Sequence, residues 1–230
     1  MRRLVLLAPL LVACGNEPKS SGVDGVVVGL PESFEAFEAM LLDAQTLQLN
    51  FEIRSDEAVQ AAFRGTLALA AGNYLRLDAA GSFEGAPMQL GLVSDGTMLR
   101  IRANGRTTDV PVPPELNKAV VLGLTRMGLL HNLAVLAGGA PPDHAAGGVG
   151  DWVRIEEGGV ERRDASATFA LRIFVAGEDV AAASLTLGDF GLPVHREQTV
   201  TFPGGQMQAR EDYTEASINT VVAPERFLLD

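Results

Sequence analysis

The stretch AQTLQLNFEI, residues 44–53, decides the fold. Leu47, Leu49, Phe51 and Ile53 fall on one side, and Gln48, Asn50 and Glu52 on the other. This period of two belongs to a half-buried strand and not to a helix. The pattern repeats downstream. GTLALA supplies Leu67 and Leu69, and NYLRLDA supplies Leu75 and Leu77 with Arg76 and Asp78 facing the other way. PMQLGLV supplies Met88, Leu90 and Leu92, and MLRIR supplies Leu99 and Ile101. Tight turns are marked by SDG at Ser94–Gly96 and by NGR from Asn104.

Just before this run, LPESFEAFEAMLLDA (Leu30–Ala44) changes period. Leu30, Phe34, Phe37, Leu41 and Ala44 recur at the spacing of one buried helix face. Pro31 lies near its start, and Glu32 and Glu35 suit the positive end of a helix dipole. After the first strands, PPELNKAVVLGLTRMGLLHNLAVLAGG predicts one helix that starts after Pro113-Pro114 and ends at Gly138-Gly139. Lys118, Thr125 and Asn132 fall seven apart on a polar stripe, and most of the remaining surface is apolar, as in a helix buried on several sides. Lys118, Arg126 and His131 argue against a membrane span. APPDHAAGGVG reads as a loop.

Strands resume in DWVRIEE, in ATFALRIFVA (Phe169, Leu171, Ile173 and Val175 on one face), in AAASLTLG, in VHREQTVTF and in QMQAREDY, with a turn at Gly204-Gly205. About nine strands and two principal helices, without internal repeat, predict an α+β fold: an antiparallel sheet curled around helices.

The chain opens MRRLVLLAPLLVACGNEPKSSG. Arg2 and Arg3 precede an apolar run, Leu4–Val12, too short to cross a bilayer, which takes about 20 residues. This is the layout of an export signal. Its ending, LVAC, resembles a bacterial lipobox. That likeness implies cleavage before Cys14, acylation of Cys14, and a polar tether up to residue 29. The expected organisation is 1–13 signal peptide, 14–29 lipidated cysteine and tether, and 30–230 one domain. Cys14 is the only cysteine, so disulfides are excluded. Gly15, in place of an aspartate, points by analogy to the outer membrane, facing the periplasm.

Without Arg2 and Arg3 the formal charge moves from −11 to −13. Such an acidic chain is unsuited to nucleic acid, whose binding needs Lys and Arg on phosphates, and to a basic patch on anionic lipid.

Helix, meandering strands, an inserted apolar helix and further strands together resemble the LolA/LolB superfamily of periplasmic lipoprotein and lipid carriers. The likeness rests on AQTLQLNFEI, FRGTLALAAGNYLRLD, LVSDGTML, LPVHREQ and DYTEASINTVVAPERF, and covers roughly residues 33–227. It implies an incomplete, unclosed β-barrel of about 9–11 strands whose concave apolar face is covered by helices and holds acyl chains. Cavity-lining candidates are Leu47, Leu49, Phe51, Leu67, Leu69, Leu90, Leu92, Phe169, Leu171 and Ile173. Leu122, Met127 and Leu130 read either as core or as a lid. Ala71-Gly72 stands where the carriers have an Arg-Pro pair, whose arginine is linked with lid closure.

No nucleophile elbow, P-loop or HExxH motif is present. His131, His144 and His195 are widely spaced, and a metal site from His131, Asp143 and His144 is a weak reading, so no metal or cofactor is expected. EDYTE around Tyr213 and ERRD at Glu161–Asp164 read as solvated strand edges and turns. Trp152 reads as a packing residue, with a place at the cavity rim as the alternative. The resulting expectation is a monomeric, non-enzymatic, lipid-anchored protein binding acyl chains of lipoproteins or lipids. The rival is an envelope signalling or scaffold lipoprotein that binds a protein partner.

Overall fold

The computed structural model of this 230-residue chain describes residues 29–137 and 152–229. The expected signal peptide, Cys14, most of the tether, and the loop with Asp143 and His144 lie outside the described residues.

Eleven strands form one antiparallel sheet. A first meander comprises β1 (Thr46–Glu57), β2 (Ala61–Ala70), β3 (Tyr74–Phe83), β4 (Ala86–Asp95), β5 (Met98–Ala103) and β6 (Arg106–Pro111). A second comprises β7 (Val153–Arg163), β8 (Ser166–Val175), β9 (Glu178–Leu187), β10 (Pro193–Phe202) and β11 (Gly205–Ile218). The two join where β1 pairs with β11, so the order runs β6-β5-β4-β3-β2-β1-β11-β10-β9-β8-β7. β6 and β7 are not paired with each other, and the barrel is unclosed, as expected. β6 is the strand that alternation did not mark. Its sequence, RTTDVP, is exposed nearly throughout because it is an edge.

The register explains the core. Leu49, Leu67, Leu77, Leu92 and Ile101 are successive cross-strand neighbours and form one apolar rung over five strands. All five are at most 3% exposed. Opposite them on the same inner face pack the helices. α1 (Phe34–Asp43) is capped by Ser33, whose hydroxyl accepts from the Ala36 N–H at 3.1 Å. It buries Phe34, Phe37 and Leu41.

The long apolar segment corrects the expectation of a single helix. It consists of α2 (Leu116–Leu122), a π-turn (Gly123–Met127) and α3 (Leu129–Ala137), with a break at Gly128 (φ 83°, ψ 161°). The residues after β11 fold back over the outer face, where the Phe227 ring meets Tyr74 at 5.7 Å.

Candidate functional site

The break in the helical segment is gripped from below by charged side chains. Arg196 of β10 and Glu211 of β11 are direct cross-strand neighbours on the inner face. They continue the rung Phe169–Leu185 on one side and Ile53–Phe63 on the other. They are 1% and 2% exposed. Arg196 donates to the carbonyls of Thr125 (2.8 Å) and Arg126 (2.9 Å) and, through Nε, to Gln198 Oε1 (2.9 Å). Glu211 accepts from the N–H groups of Leu129 (2.7 Å) and Leu130 (2.9 Å), and the Tyr213 hydroxyl donates to the same carboxylate.

A cation thus meets the carbonyl end of the π-turn, and an anion meets the N–H end of α3. Each charge matches the partial charge of the terminus it touches. Burial pushes the Arg196 guanidinium down, opposed by Tyr213 and Glu211. Burial, and then Glu211, raise the Tyr213 phenol well above its ordinary value. Gly128 is required here: a Cβ would lie 2.6 Å from Glu211 Oε1.

A second grip ties the segment to α1. Arg126 donates to both oxygens of Glu38 (2.7 and 2.6 Å) and to the Val153 carbonyl (2.8 Å), and the Thr125 hydroxyl reaches Glu38 at 3.0 Å. Bonding to Glu38 raises the Arg126 pKa further, against burial. Asn132 of α3 donates to the Val120 carbonyl at 3.1 Å, a close approach made possible by Gly123, where a Cβ would meet Asn132 Oδ1 at 2.2 Å.

All ten cavity-lining candidates (Leu47, Leu49, Phe51, Leu67, Leu69, Leu90, Leu92, Phe169, Leu171 and Ile173) are buried in one continuous apolar cluster on this inner face. Of the lid candidates, Leu122 and Leu130 are buried in it, and Met127 packs against it half-buried. A cleft of about 70 Å³ opens between α1 and α2 and leads onto Leu47 and Leu69, with Leu41, Leu42, Val121, Asn117 and Lys118 around it. Asn117 Nδ2 donates to the Ala70 carbonyl at 2.7 Å, which fixes the amide. Its Oδ1 is buried with no partner among the described residues.

The large hollow lies on the other face. A trough of about 900 Å³, lined by charged, polar and small apolar residues, runs over the outside of β1–β6 and the end of β11. Two rungs floor it. One is Asp212–Glu52–Arg64–Ala80–Gln89, and the other is Thr214–Asn50–Thr66–Asp78–Gly91–Arg102. Ala80 and Gly91 keep its floor low. Phe51 and Leu90 contribute here as well as to the core. At its border His195 Nδ1 lies 2.6 Å from Asp212 Oδ1.

Sequence reasoning placed EDYTE among solvated edges. The structure corrects this for Glu211 and Tyr213, which are buried, while the exposed side chains of ERRD agree with that reading. The signal was present in the alternation. Glu211 is in step with Met207, Ala209 and Tyr213, and Arg196 with Gln198 and Val200, so each charge sits on the buried parity of its strand. Trp152 packs half-buried against the core, its ring 6.0 Å from His131. Among the described residues no three His, Cys, Asp or Glu side chains are placed to hold a metal ion, and no helix is long and apolar enough to cross a membrane.

No protein-family model matches the chain, and no curated protein does. Among solved structures it is similar to a LolA superfamily protein from Nitrosomonas europaea, at 10% identity and a TM-score of 0.33, over 85% of this chain and 96% of that one. It is also similar to an outer membrane lipoprotein-sorting protein domain from Vibrio parahaemolyticus, at 8% identity and 0.34, over 84% and 93%. A DUF1329 family protein from Desulfovibrio piger matches at 7% and 0.33, over 87% and 98%.

Proposed function

We propose that this protein is a non-enzymatic binder of acyl chains, tethered to the bacterial envelope through an acylated Cys14, with the Leu116–Ala137 segment as a lid over the apolar inner face. One observation carries the reading: a buried Arg196 and Glu211 hold the two sides of a break in the lid. Apolar packing alone would fix a permanent core helix. Burying an arginine and a glutamate beneath it adds a desolvation cost, and directional bonds at a single break give the lid discrete closed and open arrangements.

In the closed arrangement the cleft of about 70 Å³ at α1 and α2 is the entrance. Each methylene that passes it contributes about 0.8 kcal/mol, so a chain is held without specific polar contacts. Asn117 Oδ1 is an acceptor for an N–H or O–H group beside the chain. Arg196 supplies, from a different strand, a lid-holding arginine in a chain that has Ala71-Gly72 where the carriers place theirs.

The test is native mass spectrometry of the chain from position 14 with Cys14→Ser, purified from bacteria, together with uptake of a fluorescent fatty acid. Bound lipid and saturable uptake are expected. The reading fails if neither is seen.

The outer trough favours a second reading, a scaffold lipoprotein that seats a protein partner there. A discrete envelope protein retained by the wild type and lost on Arg64→Glu with Thr66→Arg, together with no lipid uptake, would replace the first reading by this one.

A further inference from the structure

Eight large apolar side chains are exposed among the described residues, and their distribution over the barrel is uneven. The registers define two rims. One carries the start of β1 and the end of β2 (Thr46 opposite Ala70), the end of β11 (Ile218 opposite Leu47) and the β9–β10 loop. The other carries the β10–β11 turn (Phe202 opposite Gly205). Leu42, Tyr74, Phe190, Val194, Val221 and Leu228 border the first rim, whereas Phe202 stands at the second. Scattered exposed apolar residues are ordinary, but six around one rim form a surface.

Phe190 is its most exposed ring, at 63%. It is held at φ 64°, a left-handed conformation that costs a bulky residue free energy. Its conformation belongs to the β9–β10 turn, closed by bonds from the Gly188 N–H to the Leu192 carbonyl (2.9 Å) and from the Gly191 N–H to the Gly188 carbonyl (3.1 Å), but the turn leaves the ring itself exposed. The adjoining Gly191 touches the point where the chain enters the domain: a Cβ there would lie 2.6 Å from Pro31 Cδ. Arg162 fixes the same point by donating to the Pro31 carbonyl at 2.6 Å. The cleft between α1 and α2 opens on this rim as well, beside Leu42.

We infer that this rim docks onto a lipid bilayer, with Phe190 and Val221 entering the interface. The orientation rests on the acylation of Cys14 proposed above, whereas the apolar rim exists without it. Gly29 is the fifteenth residue after Cys14. A random coil of about fifteen residues spans about 20 Å on average; with the tether proposed above, the rim at which the chain enters is the part of the domain nearest the membrane. The charge decides which membrane. The chain from position 14 is at −13, and Asp43, Asp95, Asp189 and Glu225 outnumber Lys118 and Arg226 around the same rim. Binding is therefore driven by apolar insertion and opposed by anionic headgroups. Docked in this way, the cleft faces the source of acyl chains.

The experiment is vesicle flotation of the chain from position 14 with Cys14→Ser, which keeps every described residue. Binding to phosphatidylcholine vesicles is expected, and weaker binding when phosphatidylglycerol is mixed in. Phe190→Ser with Val221→Ser should lower partitioning about tenfold, the scale of leaving a large apolar side chain in water. Phe202→Ser should leave it unchanged, and thermal melts should show all variants folded. The inference is overturned by an unchanged double variant, by equal loss with Phe202→Ser, by tighter binding to the anionic vesicles, or by self-association through Phe190 without vesicle binding. Incorporation of an alkynyl fatty acid into the wild-type chain in cells is scored separately. If that label is absent while flotation behaves as stated, the anchor reading fails and the docking surface stands.

Discussion

The same strands build two unlike faces. Inward, the register stacks leucines into rungs and closes them under helices, with one charged pair in the middle. Outward, it stacks charged, small and polar residues around an open trough of about 900 Å³. Alternation alone sorts the side chains, but it does not decide which face keeps an open hollow. Filling is decided by what lies across. α1 and the broken helical segment occupy the inner concavity, whereas, among the described residues, the C-terminal ones around Phe227 cover part of the outer face.

Substitutions should separate the faces by size of effect. Glu211→Ala strips Leu129 and Leu130 of their acceptor and leaves Arg196 buried without its counter-charge. A loss of about 3–5 kcal/mol is expected in urea denaturation. Arg196→Met with Glu211→Leu should recover only the part due to the unpaired charge, because the Leu129 and Leu130 N–H groups and the Thr125 and Arg126 carbonyls stay without partners. Phe169→Ala, on the same rung, should cost about 3–5 kcal/mol by cavity formation. Gly128→Ala forces a side chain against Glu211 at a left-handed φ and should cost about 1–3 kcal/mol while raising the rate of fatty-acid uptake in stopped-flow. On the outer face Arg100→Ala removes a solvent-screened pair with Asp109 and should leave the urea midpoint nearly unchanged. An outer substitution as costly as Glu211→Ala would overturn the contrast.

His131 gives the smallest effect and a sign. Burial lowers its pKa, so the folded protein favours the neutral ring. The unfolded chain takes up the proton from about pH 6.5 downward. Stability is therefore complete above that pH and falls as the pH drops toward the lowered folded value. His131→Gln should flatten the acid limb of a melting-temperature profile.

Much of this was legible in the chain. The period of two in TLQLNFEI and its successors carried the sheet, its antiparallel hairpins and the identity of the inner face. The spacing of Phe34, Phe37 and Leu41 carried α1. The break at Gly128 was not legible, since GLTRMGLL keeps an apolar surface on either side and glycine is tolerated within helices. Glu211 and Tyr213 were read by their chemistry as solvated, although their parity placed them inside. β6 has no inward row to alternate. The trough depends on the curl of the whole sheet, which no local pattern encodes.

The seam between β1 and β11 has a kinetic consequence. Each meander is built from hairpins whose partners are near in sequence, whereas Leu47 meets Ile218 and Phe51 meets Tyr213 across most of the chain. Contacts of that separation form after the local ones, because loop closure costs entropy before it is rewarded. The two halves can therefore collapse independently while the seam waits. Arg196 and Glu211 both belong to the second meander, so their bonds to residues 125–130 can form before the first strand has found the last. Substitutions along this seam should slow folding less than they speed unfolding.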